Sequence, residues 1–280
     1  MNSNINYRIR DKFKRGLIIF LLIAVIIFFV FPLFWSFLTS IKENVDAWSM
    51  PPKFIFKPTL ENYRIVLFEK NFLGFIINSI VVGLFSTAIS IILGTPLAYS
   101  LARSKFKINN LLFIFVLIAY ILPPIVLSIP LYILGSKIGG LDKYYIIIIT
   151  HMTFGIAFTV WMMRGFFEEV PLEVEESALV DGCNYFSSFF RITLPMAKPG
   201  LAATVIFCFI LSWNDFMYAL VLTSMKVRTV PVAIAQFLTP HGMYWGQMNA
   251  AGMLAILPIL LFAMFFQRYI VRGMALGAIK

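Results

Sequence analysis

Long apolar runs alternate with short polar segments along the chain. Runs built mostly from Ile, Leu, Phe and Val cover roughly 16–39, 73–101, 110–134, 144–163, 200–223 and 248–267. About 20 mostly apolar residues cross a bilayer as a helix, so each run predicts one span. The fourth run is the most dilute, because His151 and several Thr interrupt it. A position inside a helix bundle tolerates that. The first run follows a basic stretch, as the apolar core of a signal peptide does. It is about twice as long as such a core and has no small-residue cleavage site, so it reads as a retained span. The pattern predicts an all-α membrane protein with six transmembrane helices.

Composition agrees. The chain has 280 residues, of which 60% are hydrophobic, too many for a soluble domain of this length to bury. A formal charge of +10 raises the question of nucleic acid. The Lys and Arg residues instead sit in short clusters beside apolar runs, which is a membrane-flank pattern. No nucleic-acid partner is expected, and membrane lipid is. Arg8, Arg10, Lys12, Lys14 and Arg15 precede the first span, and Arg103, Lys105 and Lys107 follow the second. With six spans these clusters share one side with Arg268 and Arg272, and the positive-inside rule makes that side the cytoplasm. Both termini are then cytoplasmic. The outer segment at about 40–72 also carries Lys42, Lys53, Lys57, Arg64 and Lys70, spread over a longer stretch.

One segment breaks the apolar pattern. Glu168, Glu169, Glu173, Glu175, Glu176 and Asp181 fall within a few turns of one another. "PLEVEESALVD" reads as a short helix with Pro171 near its first position and Gly182 as its left-handed cap. "NYFSSFFRITL" reads as a second helix, with Asn184 as N-cap and an end before Pro195. The segment could be an ordinary solvated loop. Tyr185, Phe186, Phe189 and Phe190 argue against that, since a solvated loop does not need so much aromatic surface. An acidic edge beside aromatic side chains suits a docking element better.

The order Glu176-Ser177-Ala178, Asp181-Gly182, then Ile192-Thr193-Leu194-Pro195 and Pro199 resembles the EAA loop of ABC-transporter permeases. "PTLENY", "INSIVVGLFSTAISIILGTPLAYSLAR", "MRGFFEEVP", "SWNDF" and "RTVPVAIAQF" resemble further landmarks of the carbohydrate importer subfamily, over nearly the whole chain. "FFQRYIVRGMALGAIK" resembles the tail of the small maltose-type permease. Ser177 and Cys183 stand where that family commonly has Ala. The resemblance implies a type I ABC importer permease fold. It implies that Glu175, Glu176, Ser177, Ala178, Asp181, Gly182, Ile192, Leu194 and Pro195 couple to a cytoplasmic ATPase. It also implies that the tail, with Gly273, Gly277 and Lys280, reaches the ATPases. The expected organisation is a tail over 1–15, a first helix and outer segment over 16–71, a permease domain over 72–267 with its coupling loop at about 164–199, and a tail over 268–280. The implied partners are a second, homologous permease forming a heterodimer, two ATPase subunits and an extracytoplasmic solute-binding protein. ATP and Mg would be used by the partner subunits, with no cofactor bound by this chain. The implied place is the cytoplasmic membrane of a prokaryote.

The residues themselves offer little catalytic chemistry. The sequence has no P-loop and no His-Glu-x-x-His motif. Cys183 and Cys208 lack metal or redox spacing. His151 reads as a residue satisfied within the bundle, and His241 as part of an outer loop. Asp215 is the ionisable group that stands out inside a span, and such groups face a bundle interior or a wet cavity. It lies roughly 22 Å from the start of the fifth run, in the outer half of the bilayer. Asn214, Asp215 and, further back, Asn78 are therefore candidates for the substrate path, with a structural hydrogen bond as the alternative for each. Pro123, Pro124 and Pro130 predict a kinked third span. Two rival readings stay open: an ABC permease for a phosphorylated polyol or peptide, and a proton-coupled carrier. The carrier predicts several intramembrane acids and leaves the acidic segment unexplained.

Overall fold

A computed structural model describes residues 2–104, 108–239 and 242–277. It is mostly helical and falls into two compact units, residues 1–70 with 237–254, and residues 71–236 with 255–280.

The first unit is built on α1 (Asn2–Ser40), which includes the basic segment expected as the N-terminal tail. No glycine or proline stands between Asn2 and Arg15 to stop it. From Leu17 to Phe34 its large apolar side chains are exposed, so this helix takes its apolar surroundings from outside the unit. The outer segment folds back on its end. Buried Asn62 donates Nδ2 to the carbonyls of Ser40 and Lys42, at 2.9 and 2.7 Å. Trp48 donates to the Met243 carbonyl in the short hairpin β1 (Leu238–Thr239) and β2 (Gly242–Met243).

The second unit holds the helices that position the sites. They are α2 (Phe72–Arg103), α3 (Asn109–Ile121), α4 (Pro124–Lys137), α5 (Tyr144–Glu168), α6 (Leu172–Val180), α7 (Tyr185–Met196), α8 (Lys198–Trp213), α9 (Met217–Leu222) and α10 (Val230–Ala235). The last helix, α11 (Trp245–Gly277), begins in the first unit and ends in the second. It runs through the segment expected as a C-terminal tail. Gly273 and Gly277 are in this helix, and Lys280, like His241, lies outside the described residues.

Small residues bring α2 and α5 together. Ser90 and Gly94 on α2 meet Gly155 and Thr159 on α5. A Cβ on Gly94 would stand 2.8 Å from the Thr159 side chain, and one on Gly155 would collide with Ser90. Such contacts replace the hydrophobic effect as the packing force between helices in lipid. Among the described residues four helices are long and apolar enough to cross a membrane, and two bent pairs raise that to as many as six. The third apolar run is one of those pairs, α3 and α4, bent by 86°. Leu122 and Pro123 sit at the corner, where proline cannot continue the ladder. The fifth run is not one helix to residue 223. It stops at Trp213 and restarts as α9, and the Asp215 carboxylate accepts the Ala219 backbone N–H at 3.0 Å. A break inside a membrane persists only where such groups replace the lost backbone bonds.

Candidate functional site

The acidic segment forms α6 and α7, with the caps the sequence implies. Gly182 has φ of +92° and closes α6. Cys183 N–H bonds the Ala178 carbonyl and Gly182 N–H bonds the Leu179 carbonyl, the 6→1 and 5→2 pair of a Schellman motif. Asn184 Oδ1 accepts the Ser187 N–H at 2.7 Å and starts α7. This helix does not end before Pro195. A π turn over Phe189–Thr193 widens the backbone just ahead of the proline ring, and the chain stays helical to Met196.

The coupling residues read from the sequence divide between two faces. Glu176, Ser177, Asp181 and Gly182 are exposed, beside Val180 (87% exposed), Tyr185 (72%) and Phe186 (74%). Ile192, Leu194 and Pro195 are half-buried. Glu175 and Ala178 point inward and are buried by this chain itself. Room for the Ala178 side chain is therefore already limited within the chain.

Glu175 is held by α2. Its Oε1 accepts Arg103 Nε at 2.9 Å and Nη2 at 2.6 Å, and its Oε2 accepts the Tyr99 hydroxyl at 2.9 Å. Arg103 Nη2 also donates to the Val170 carbonyl, in the turn between α5 and α6. Tyr99 rests against Phe167 and Phe189, with ring centroids 5.7 and 4.8 Å away. Sequence reading gave Arg103 a topological meaning only and passed over Tyr99. Their spacing of one helical turn, in "YSLAR", is the signal that would have placed both on one face of a helix.

A second polar group lies between α2, α5 and α8. His151 Nδ1 is 2.6 Å from Ser212 Oγ, and its Nε2 is 3.2 Å from Asp215 Oδ2. Ser212 continues to Ser86 on α2 at 3.1 Å. The His151 and Asp215 side chains are 0% and 8% exposed, so the group is shielded, as polar atoms in a bundle need to be. Asp215 is hydrogen-bonded within the bundle and also borders open space. With Asn214, Tyr120, Phe154 and Tyr218 it lines a cavity of about 460 Å³. Asn78 does not line that cavity. Its amide donates to the Lys226 and Arg228 carbonyls, both at 3.0 Å, and its Oδ1 accepts the Tyr144 hydroxyl.

The same loop is held by a residue that sequence reading missed. Asp142, with φ of +57°, accepts the backbone N–H groups of Ser224, Met225, Lys226 and Val227 at 3.0–3.2 Å. Burial pushes its pKa up, but the four backbone donors outweigh that and hold the carboxyl below its ordinary value. An aspartate after "GGL" between two apolar runs was the available signal.

Residues 90–276 match the family described as the inner membrane component of binding-protein-dependent transport systems. The chain belongs to this family. It is 38% identical to a probable ABC transporter permease protein of Sinorhizobium fredii, over 90% of this chain and 91% of that one. It is 32% identical to the trehalose/maltose transport system permease MalG of Thermococcus litoralis, over 96% and 98%. It is also 34% identical to the trehalose transport system permease SugB of Mycobacterium tuberculosis, over 89% and 92%. Among solved structures it resembles a chain of a bacterial ABC transporter that imports the acidic polysaccharide alginate. That match has a TM-score of 0.72 and 21% identity over 91% of this chain and 96% of that one. At that identity the likeness shows a shared permease fold. The chain is a transport component of a membrane system, not an enzyme.

Proposed function

We propose that this chain forms half of the transmembrane path of an ATP-driven importer for a sugar or oligosaccharide. Six spans with both termini in the cytoplasm put α6 and α7 on the cytoplasmic face of a prokaryotic cell membrane. The loop held by Asn78 and Asp142 is then on the outer face. A second permease completes the path, an extracytoplasmic binding protein delivers the sugar, and two ATPase subunits use ATP and Mg. The transport named for MalG and SugB supports the sugar class.

The observation that carries the coupling role is the open face of α6 and the start of α7. Glu176 and Asp181 stand there beside Val180, Tyr185 and Phe186. An acidic rim around exposed apolar side chains suits a basic, apolar cleft on a partner. The ATPase docks on this face, and its closure pushes α6 while the spans reorient. The C-terminal segment that holds Gly273, Gly277 and Lys280 contacts the same subunits. In the bundle, the cavity lined by Asn214 and Asp215 contributes to the path.

The test is purification of the complex from native membranes, with uptake measured in parallel. Glu176→Lys should lose the ATPase while the chain still inserts. A fully retained ATPase with normal uptake would leave α6 as a solvated loop.

A further inference from the structure

We infer that Tyr99 and Arg103 form a latch on Glu175 that makes α6 move as one body with α2. This rests on the reading of α6 as the ATPase-docking element, and it adds the route by which a push on α6 reaches a span.

The latch joins two helix ends of opposite polarity. Arg103 is in the last turn of α2, where the helix dipole favours a cation, and Glu175 is in the first turn of α6, where it favours an anion. Both side chains are largely buried, at 16% and 6% exposure. Arg103 makes two bonds to one carboxylate oxygen and a third to the Val170 carbonyl, so a single guanidinium holds α2, α6 and the turn before α6. Tyr99, one turn earlier on the same face, occupies the other carboxylate oxygen. These charge-assisted bonds are directional and fix relative position, which apolar contacts do not.

Stability alone does not require the pair. A buried ion pair is often replaced by apolar side chains without loss, whereas removing one partner is costly. Folding is also served by the apolar group of Ala98, Met163, Phe167, Phe189 and Ala197, against which the Tyr99 ring packs. What the charges add is a fixed geometry between α6 and the end of α2. Further along α2, Ser86 bonds Ser212 in the polar group of His151 and Asp215. Ser86 is 17 residues from Arg103, a helical distance of about 26 Å. Displacing α6 therefore displaces a helix that walls this polar group. Glu175 and Glu176, adjacent in sequence, divide the work: one holds the chain's own span and the other faces the partner.

The experiment uses the whole complex in proteoliposomes with sugar-loaded binding protein. It measures ATPase retention, hydrolysis stimulated by binding protein, and uptake per ATP. Arg103→Gln should retain the ATPase, lose the stimulation and lower uptake at least tenfold. Arg103→Met with Glu175→Met leaves no buried charge unpaired, so insertion and assembly should be normal while uptake stays at least tenfold down. Tyr99→Phe should lower uptake two- to threefold. Wild-type uptake in the double variant would overturn the latch, because the pair would then serve folding only. Failure of every variant to insert would overturn it for the same reason, and so would unchanged stimulation in Arg103→Gln. If the wild-type chain itself retains no ATPase, the docking reading falls, and the latch falls with it.

Discussion

Glu175 is a buried carboxylate and Asp142 a half-buried one, and they are satisfied by opposite means. Glu175 meets a guanidinium and a phenol from one helix. Asp142 meets four backbone N–H groups in a loop that Asn78, near the start of α2, also holds. Asn78 and Arg103 are 25 residues apart, so the two arrangements lie about 38 Å apart along α2. A carboxylate held by amides restrains one loop and needs no counter-ion. A carboxylate held by an arginine ties two helices together, and each partner left alone becomes a buried charge. Under the docking role proposed for α6, the first device suits an end that keeps its shape and the second an end that transmits a displacement.

The largest expected effect comes from separating the ion pair. Glu175→Ala strands Arg103 and should destabilise the second unit by about 3 kcal/mol. Thermal unfolding in detergent would check this, and a loss under 1 kcal/mol would mean that Arg103 finds water instead. Asp142→Ala frees four N–H groups in a partly exposed loop. Water satisfies some of them, so the cost should be about 1–2 kcal/mol. It should appear as faster amide exchange over Ser224–Val227 with little change near α6. Exchange that rises equally in both places would remove the distinction between the two ends.

Acid should act on the Asp142 loop in a defined direction. The folded pKa of Asp142 is depressed, so its contribution is fully present above the unfolded value of about 3.9 and is lost as pH falls through the lower folded value. Protection of Ser224–Val227 should therefore hold through mild acid and fail only below the ordinary carboxylate range. Asp142→Asn should abolish that step. The smallest effect belongs to Tyr99→Phe. It removes one of three bonds to Glu175 and leaves the ion pair, for a loss of about 1 kcal/mol in the same unfolding measurement.

The legible parts of the site were those written into neighbouring residues. Gly182 and Asn184 announced the caps of α6 and α7, because a left-handed turn and an N-cap each depend on one residue and its near neighbours. The proline rule failed at Pro195, because a widened turn absorbed the ring within the helix. Leu122-Pro123 gave a kink, but not its size of 86°. Asp215 was recognisable as unusual, yet its partner His151 lies 64 residues away on another helix.

What the sequence by itself determined is the set of apolar runs, their flanking charges, the capped acidic segment and the family resemblance. Each is a property of residues close in the chain, or of their order along it. Tertiary structure alone decided which face of α6 stays open, that Glu175 turns inward to Arg103 across 72 residues, and that Asp142 holds a loop more than 80 residues later. Helix periodicity places side chains around one axis only. Which of those directions meets a partner depends on how the helices cross, and in this bundle that is set by where Gly94, Gly155 and their small neighbours let α2 and α5 approach.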